Sequence, residues 1–546
     1  MNELSLGAPS YLPAVLERIR SVEKMPLPSN LAELIDAAAK AAPDRDVWNF
    51  FETGERETYD GLRRRVNYLA AQLQKHGVTK GRHVGVMLPN IPAMPLTWLA
   101  LAKVGAVMVP VNTAYKEREL AYVLLNSEAE FLIIHDDYLP RLEGAREHHG
   151  VAIPQEMTYV FGGSSAYTRW EELADGRLES FEPAAKVQPN DLLNIQYTSG
   201  TTGFPKGCML TQQYWLVSGH SNAHRDGRRY ENLLASTPFF YMDPQWLLLM
   251  TIIQRGTLFV AQRQSTSRFM TWVREHKINF CLLPWILYKE PQQPDDDRNS
   301  IVRANIYGVP RAIHAEIEQR FGLKAREAFG MTELGPTLFM PIEASDMVGS
   351  GSCGLPAPFR ECRLVDEYGN EVDVGEPGEL LVRGKGMLLG YYRNPEATAE
   401  SMPDGWFRTG DLFRKDHNGF YTIIGRRKDM VRRSGENIAA REVEAVLNAF
   451  PYVSESAIIG VPDERRGEEV KAYIVVKQGV EETDGLLVEI VRHCEEQLAA
   501  FKVPRFYEFR KEFPRTGSAK IAKHLLRSED KDLRSGAFDR VTGSWG

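Results

Sequence analysis

The sequence predicts an α/β fold: a large N-terminal domain of α/β subdomains, a β-rich subdomain within it, and a small α+β C-terminal domain. Three observations carry this. A chain of 546 residues is longer than one hydrophobic core usually serves, so two or more domains are required. From about residue 58 to 430, stretches with helical periodicity alternate with short apolar runs, the pattern of parallel strands flanked by helices. After Gly425 the chain changes to a charged passage followed by helix, strand, strand and helix, enough for a separate unit of about 115 residues.

The elements follow in order. Residues 59–75 and 94–104 read as helices, and the short apolar runs 83–87, 107–111 and 131–134 as strands between them. Residues 192–197 form a further buried strand. Between Gly354 and Gly425 the runs 363–366, 378–383 and 421–425 are separated by Gly/Pro turns, which defines the β-rich subdomain. In the last part 439–450 and 486–501 read as helices, and 453–461 and 469–477 as strands. The segment around Pro291 to Asp297 is a loop, and the tail beyond Lys523 is polar with no task legible in it. The expected division is 1–427 and 428–546.

Composition excludes several classes. With 43% hydrophobic and 25% charged residues the chain has the make-up of an ordinary globular protein. A net charge of −7, spread along the chain, leaves no electrostatic footprint for nucleic acid. The apolar stretch 96–111 is interrupted by Lys103 and is too short for a membrane span. The first residues lack a basic stretch followed by an apolar core, so a cytoplasmic enzyme is the simplest expectation. The five cysteines show neither paired nor metal-type spacing and read as structural.

The most informative stretch is Tyr197-Thr-Ser-Gly-Thr-Thr-Gly-Phe-Pro-Lys206-Gly207. Gly200, Gly203 and Gly207 let successive backbone N–H groups turn toward one anion. The hydroxyls of Thr198, Ser199, Thr201 and Thr202 add donors and Lys206 adds a charge, so the loop is suited to phosphates. It follows a strand, and open α/β sheets bind ligands at strand ends. It is not a Walker loop, because the spacing differs and no hydroxyl follows the lysine. A flexible Gly/Thr surface turn is the competing reading.

This run resembles the phosphate loop of the adenylate-forming superfamily of acyl-CoA synthetases, luciferases and nonribosomal adenylation domains. Further segments agree in the family's order: Val84-Gly-Val-Met-Leu-Pro-Asn90, Ala328-Phe-Gly-Met-Thr-Glu333, Trp406-Phe-Arg-Thr-Gly-Asp411, Gly425-Arg-Arg-Lys-Asp429 with Gly435-Glu-Asn437, and Pro514-Arg-Thr-Gly-Ser-Ala-Lys520. The likeness runs from about residue 30 to 525.

The resemblance implies a two-step reaction in which a carboxylate attacks the α-phosphate of ATP and the thiol of CoA then displaces AMP. It implies that Lys206 and the hydroxyl loop hold the outer phosphates, that Glu333 coordinates Mg²⁺, and that Thr332 meets the α-phosphate. Phe329, before Gly330, is where the family stacks an aromatic on adenine, and Gly308, Val309 and Pro310 line the same ring. Asp411 accepts the ribose hydroxyls with Arg426 assisting, and Lys520 reaches the charge that develops during adenylation. The small domain is expected to be mobile, turning about Lys428 to withdraw Lys520 and present Arg432, Gly435 and Glu436 to CoA. For Glu333 the local alternative is a carboxylate at a helix start.

Departures from the family concern the acid. Ile306-Tyr307-Gly308-Val309-Pro310 puts a bulky Tyr307 where relatives are small. Pro238-Phe-Phe-Tyr241 keeps an aromatic at Tyr241 where many relatives have histidine. The following Met242-Asp243-Pro244-Gln245-Trp246 is similar to the matching stretch of carnitine and crotonobetaine CoA ligases. Asp243 would repel a fatty chain and attract a cation, with Trp246, Trp285, Tyr288 and Tyr307 offering aromatic faces and Gln245 beside them. Asp243 followed by proline is equally a helix N-cap pair opening a helix over 245–253, and Trp272 and Trp285 read as core.

The expectation is an AMP-forming acid–CoA ligase for a small polar acid, a carnitine-like zwitterion in particular. Its rivals are an enzyme loading a carrier protein or taking a fatty or aryl acid, and a non-catalytic nucleotide-binding protein. The four groups Lys206, Glu333, Asp411 and Lys520 oppose the last. The sequence leaves a homodimer open.

Overall fold

The computed structural model describes residues 8–546 except 164–165, 199–204, 427–428, 434–435, 499, 517–519 and 530–531; of 436 and 437 it describes the backbone. Two sheets build the large domain. A seven-stranded sheet runs in the order Thr168–Arg169, Thr158–Phe161, Phe131–His135, His83–Met87, Val107–Pro110, Leu192–Thr198, Lys206–Thr211. Its strands are parallel up to Leu192–Thr198, which pairs antiparallel with Lys206–Thr211.

The second sheet has thirteen strands, with Glu55–Thr58 at one edge pairing antiparallel with Asp46–Phe50. Asp46–Phe50, Thr257–Val260, Asn232–Ala235, Phe280–Leu282, Arg303–Ile306 and Ala325–Met331 are parallel. From Ala328 onward the pairing turns antiparallel through Gly335–Phe339, Ser352–Pro356, Tyr421–Arg426, Phe407–Lys415, Gly378–Gly384 and Arg360–Val365. The β-rich subdomain is therefore joined edge to edge with the parallel strands, and the change of direction falls within the run that ends at Glu333.

Helices between the two sheets complete one core. Every residue of Ala93–Val104 is buried, as are nearly all of Gln212–His224 and Met242–Gln254. A helix buried all round has no solvent face to offer, which fits a position between two sheets. Tyr59–Lys75 packs on Ala93–Val104, and Gln212–His224 on Met242–Gln254. The ends carry local signals: Thr58 accepts from the Gly61 N–H at one N-terminus, and Gly105 takes a left-handed φ of 84° after Val104.

The small domain has its own sheet, in which Val453–Asp463 and Gly467–Val476 form a long hairpin and Phe506–Phe509 adds in parallel. Ala440–Ala449 and Asp484–Gln497 cover it over an apolar core of Val443, Leu447, Ile458, Ile474 and Ile490. The tail does have a task. Phe538–Asp539 pairs with Phe506–Phe509 and Ser544–Trp545 folds back on it, closing the sheet edge, with Arg505 on Asp539 at 2.8 Å and the Trp545 indole donating to Asp484 at 3.1 Å. Among the described residues no helix is long and apolar enough to cross a membrane.

Candidate active site

The end expected to receive phosphates lies where the seven-stranded sheet finishes. Thr198 pairs with Lys206 across the antiparallel strands, and the Thr198 hydroxyl donates to the Lys206 carbonyl at 3.4 Å. The stems of the hydroxyl-rich loop are thereby fixed; Ser199, Gly200, Thr201, Thr202 and Gly203 lie outside the described residues. The Lys206 ammonium stands 4.8 Å from the centre of the Tyr391 ring. The same phenol donates to Glu333 at 3.0 Å. One aromatic side chain thus braces two charged groups that come from separate motifs.

Glu333 follows a strand end and not a helix start, which sets aside the local alternative for it. Its neighbour Thr332 is held by the Tyr214 hydroxyl, which donates to the Thr332 carbonyl at 2.8 Å. The Glu333 carboxyl is 7% exposed, and burial raises its proton affinity against the opposing pull of Tyr391, Arg426 and Lys206. Among the described residues it has no ion-pair partner. A buried carboxylate oxygen that no ion pair occupies fits a hard divalent cation such as Mg²⁺. Gly330, two residues on from Ala328, must be glycine for a different reason: a Cβ there would lie 2.7 Å from the Gly335 carbonyl across the turn.

The end expected to receive the nucleoside lies along the antiparallel strands. Asp411, 4% exposed, faces Arg426 across the strand pair, with Nε 3.3 Å from its carboxylate. Burial raises the Asp411 carboxyl from its ordinary value, while Arg426, Lys520 and Arg441 pull it down. Phe329 meets Phe413 edge to face at 5.1 Å. The loop after Arg303–Ile306 passes through Tyr307, Gly308, Val309 and Pro310, and the Glu327 carboxylate accepts the N–H groups of Gly308 at 3.2 Å and Val309 at 3.0 Å. Burial pushes the Glu327 carboxyl up to about 7, with Arg441 opposing.

This has a thermodynamic sign. A carboxyl raised from about 4.5 to about 7 in the folded protein contributes stability that is complete below about pH 4.5 and is lost as pH rises through 7, a swing of about 3 kcal/mol. The unfolding midpoint of the Glu327→Gln variant is expected to gain on that of the parent between pH 4.5 and 7.5. A difference constant across that range would place the Glu327 titration elsewhere.

The end expected to receive the acid has Tyr241, Asp243, Trp246 and Tyr307. The helix here is Met242–Gln254 and its N-cap is Tyr241, without a side-chain cap bond, so Asp243 does not cap it. The turn that brings the Tyr241 N–H to the Pro238 carbonyl starts the helix early. Pro244 is tolerated in its first turn because N–H groups there have no helical partner. The Asp243 carboxylate accepts from the Trp246 indole at 3.0 Å. Burial raises Asp243 from its ordinary value, opposed by Trp246 and Lys520, and Tyr307 in turn feels the Asp243 charge. Asp243, Tyr307 and Lys520 all keep solvent-accessible surface while protein encloses them on most sides, as the walls of a cleft do.

Other expected members are arranged differently. The Gln245 amide is turned inward, donating to the Phe239 carbonyl at 2.8 Å and accepting from Asn194 at 3.4 Å. Trp246 is buried and gives Asp243 its N–H edge rather than a face. Trp285 carries the Lys289 ammonium 5.3 Å from its ring centre, and Tyr288 donates to Glu316, so these two serve other partners. Trp272 is core. Tyr241 accepts from Asn112 at 3.3 Å and lies against Phe240.

Lys520 belongs to the small domain yet enters the same cleft. Its proton affinity is lowered by desolvation and by Arg426, while Asp411, Asp243 and Glu333 raise it. The Thr516 N–H donates to its carbonyl at 2.8 Å. Lys428 and Gly435 lie outside the described residues; Glu436 pairs through its backbone with Arg433, and the Arg432 side chain is exposed. Tyr391, Glu327 and Arg441 are site neighbours that no motif marked.

Buried carboxylates at Glu333 and Asp411, Lys206 at a strand end and Lys520 from the small domain are a charge set suited to activating a carboxylate with a nucleotide. The family model of AMP-binding enzymes matches residues 35–392, and that of the AMP-binding enzyme C-terminal domain matches 442–520. YngI of Bacillus subtilis (strain 168), named as an acyl-CoA synthetase, is 31% identical over 92% of this chain and 98% of its own. The crotonobetaine/carnitine–CoA ligase of Salmonella agona (strain SL483) is 29% identical over 91% and 99%. The crystal structure of the anthranilate CoA ligase AuaEII with anthranoyl-AMP superposes with a TM-score of 0.83 at 25% identity, covering 93% of this chain and 98% of that one. The chain belongs to the adenylate-forming AMP-binding enzymes, as an acyl-CoA synthetase.

Proposed function

We propose that this AMP-forming ligase acts on a small acid bearing a cationic group, a carnitine-like or betaine-like zwitterion being the favoured case, and that Asp243 receives the cation. The observation that carries this is the Asp243 carboxylate itself. It is spent on no helix cap, is held by the Trp246 indole, and shares a cleft with Lys520 close enough for each charge to alter the other's protonation. An acid whose carboxylate lies at Lys520 and whose cation lies at Asp243 has to be short. The likeness to a crotonobetaine/carnitine–CoA ligase supports the same reading.

The steps follow from the groups. The acid's carboxylate oxygen attacks the α-phosphorus of ATP, the bond to the β-phosphate oxygen breaks, and pyrophosphate leaves. Lys206 and its loop neutralise the departing charge, Lys520 meets the charge on the α-phosphate side, and Asp411 with Arg426 holds the ribose. Glu333 and Thr332 flank the phosphates; Mg²⁺ bound at Glu333 would supply charge neutralisation there. Phe329, Gly308, Val309 and Pro310 line the adenine. The small domain, residues 428–546, then turns about Lys428 so that Arg432, Gly435 and Glu436 face CoA, whose thiol displaces AMP and loses its proton to solvent. The reaction is assigned to the cytoplasm.

The test is pyrophosphate release with ATP and Mg²⁺ across quaternary-ammonium, hydroxy, aryl and short fatty acids, each with and without CoA. Ammonium acids are expected to be preferred, and Asp243→Asn to lower their kcat/KM by about 10- to 100-fold while sparing neutral acids, as loss of a charged partner worth about 1.5–3 kcal/mol requires. Preference for aryl or fatty acids with no loss in Asp243→Asn overturns the cationic assignment. AMP release that needs a carrier protein in place of CoA overturns the thiol assignment.

A further inference from the structure

Arg441 has no role in the scheme above, yet it lies in the same cleft. It sits in the first turn of the small-domain helix Ala440–Ala449, where the helix dipole disfavours a cation. Among the described residues its guanidinium makes no hydrogen bond and no ion pair. The compensation comes from across the domain boundary: Arg441 pulls down the proton affinity of both Glu327 and Asp411, which belong to the large domain. Its Nη2 atom lies 3.0 Å from where a Cβ on Gly308 would stand, so it rests on the backbone of the loop 307–310. What favours glycine at 308 is its φ of +67°, since the flexible guanidinium could shift to admit a Cβ.

The loop is gripped from two sides. On one, the Glu327 carboxylate takes the N–H groups of Gly308 and Val309; on the other, the guanidinium covers Gly308. A second polar contact between the domains is the Lys289 ammonium donating to the Ser454 carbonyl at 2.9 Å. Polar interdomain contacts of this kind permit motion, and one planar cation among them carries weight.

We propose that Arg441 is a positioning residue of the first half-reaction. It latches the small domain in the orientation that delivers Lys520, by resting on the nucleotide loop between the Glu327 and Asp411 carboxylates, and it is released when the domain turns for thioester formation. The inference rests on the domain rotation stated under the proposed function.

The test reads orientation without needing the acid. Cysteines placed at the exposed positions Tyr368, in the large domain, and Val541, in the small one, accept a dye pair, because the native cysteines are buried or half-buried. With saturating MgATP the parent is expected to populate the orientation described here, and with AMP and CoA to leave it. Arg441→Ala is expected to lower the MgATP population at least threefold, Arg441→Lys to restore part of it, and Arg441→Gln, which keeps much of the side chain's length, to behave as Arg441→Ala. In parallel, Arg441→Ala should slow acyl-adenylate formation about tenfold and leave transfer from preformed adenylate to CoA within twofold. An MgATP population left unchanged by Arg441→Ala, in a protein whose parent does rotate, overturns the latch alone. A parent that keeps one orientation under both conditions overturns the rotation, and the latch with it.

Discussion

Lys520→Ala is expected to lower acyl-adenylate formation by about a thousandfold and to leave CoA thiolysis of a supplied acyl-adenylate nearly intact. Removing one preorganised donor to developing charge costs on the order of 10²–10³ in rate, and here the donor also carries a full charge into a site enclosed by protein. The ammonium is drawn toward Asp411, Asp243 and Glu333 and pushed by Arg426, so its position is set by a balance that alanine removes altogether. The check is to time the two half-reactions separately, with pyrophosphate release for the first and AMP release from synthetic adenylate for the second. Equal losses in both would mean that Lys520 supports the fold of the cleft and not the first step.

Glu333→Gln is expected to lower kcat/KM by about 10²- to 10³-fold at ordinary Mg²⁺ and to raise the Mg²⁺ concentration needed for half-maximal rate. Glutamine preserves shape and can still accept from Tyr391, so the 3.0 Å contact and the fold survive while the charge goes. A carboxylate buried to 7% exposure with no ion-pair partner among the described residues is costly to keep ionised unless a ligand repays it, which is why the charge and not the hydrogen bond is the quantity under test. A fall in rate with an unshifted Mg²⁺ dependence would assign Glu333 to the phenol alone. Among the variants considered, these two have the largest expected effects because they remove whole charges from the enclosed end of the cleft.

Much of the fold was legible because its signals are local. The helix Tyr59–Lys75 and the strand His83–Met87 begin and end where periodicity and apolar runs put them. The helix after Tyr241 was misplaced by a local signal that another overrode. Asp243-Pro244 has the chemistry of a cap, but the turn closed by the Tyr241 N–H starts the helix before it. The tail was illegible because its pairing is made by backbone and by Arg505 with Asp539, with no apolar run to betray it. Glu327, Tyr391 and Arg441 were missed for a further reason. Each acts on residues brought close by the fold alone, and nothing in the immediate sequence of any of them distinguishes it from a surface or core neighbour.

The bracing of Lys206 and Glu333 by the single ring of Tyr391 divides the cleft into parts that differ in how freely they can change. The phosphate end is one mechanical piece: shifting the ring detunes a cation and a carboxylate together, so it tolerates few exchanges. The end around Asp243 and Tyr307 is built from one helix and a separate loop, with no shared brace among the described residues. A descendant of this enzyme could therefore acquire a new acid by single substitutions there while its way of handling ATP stayed as it is.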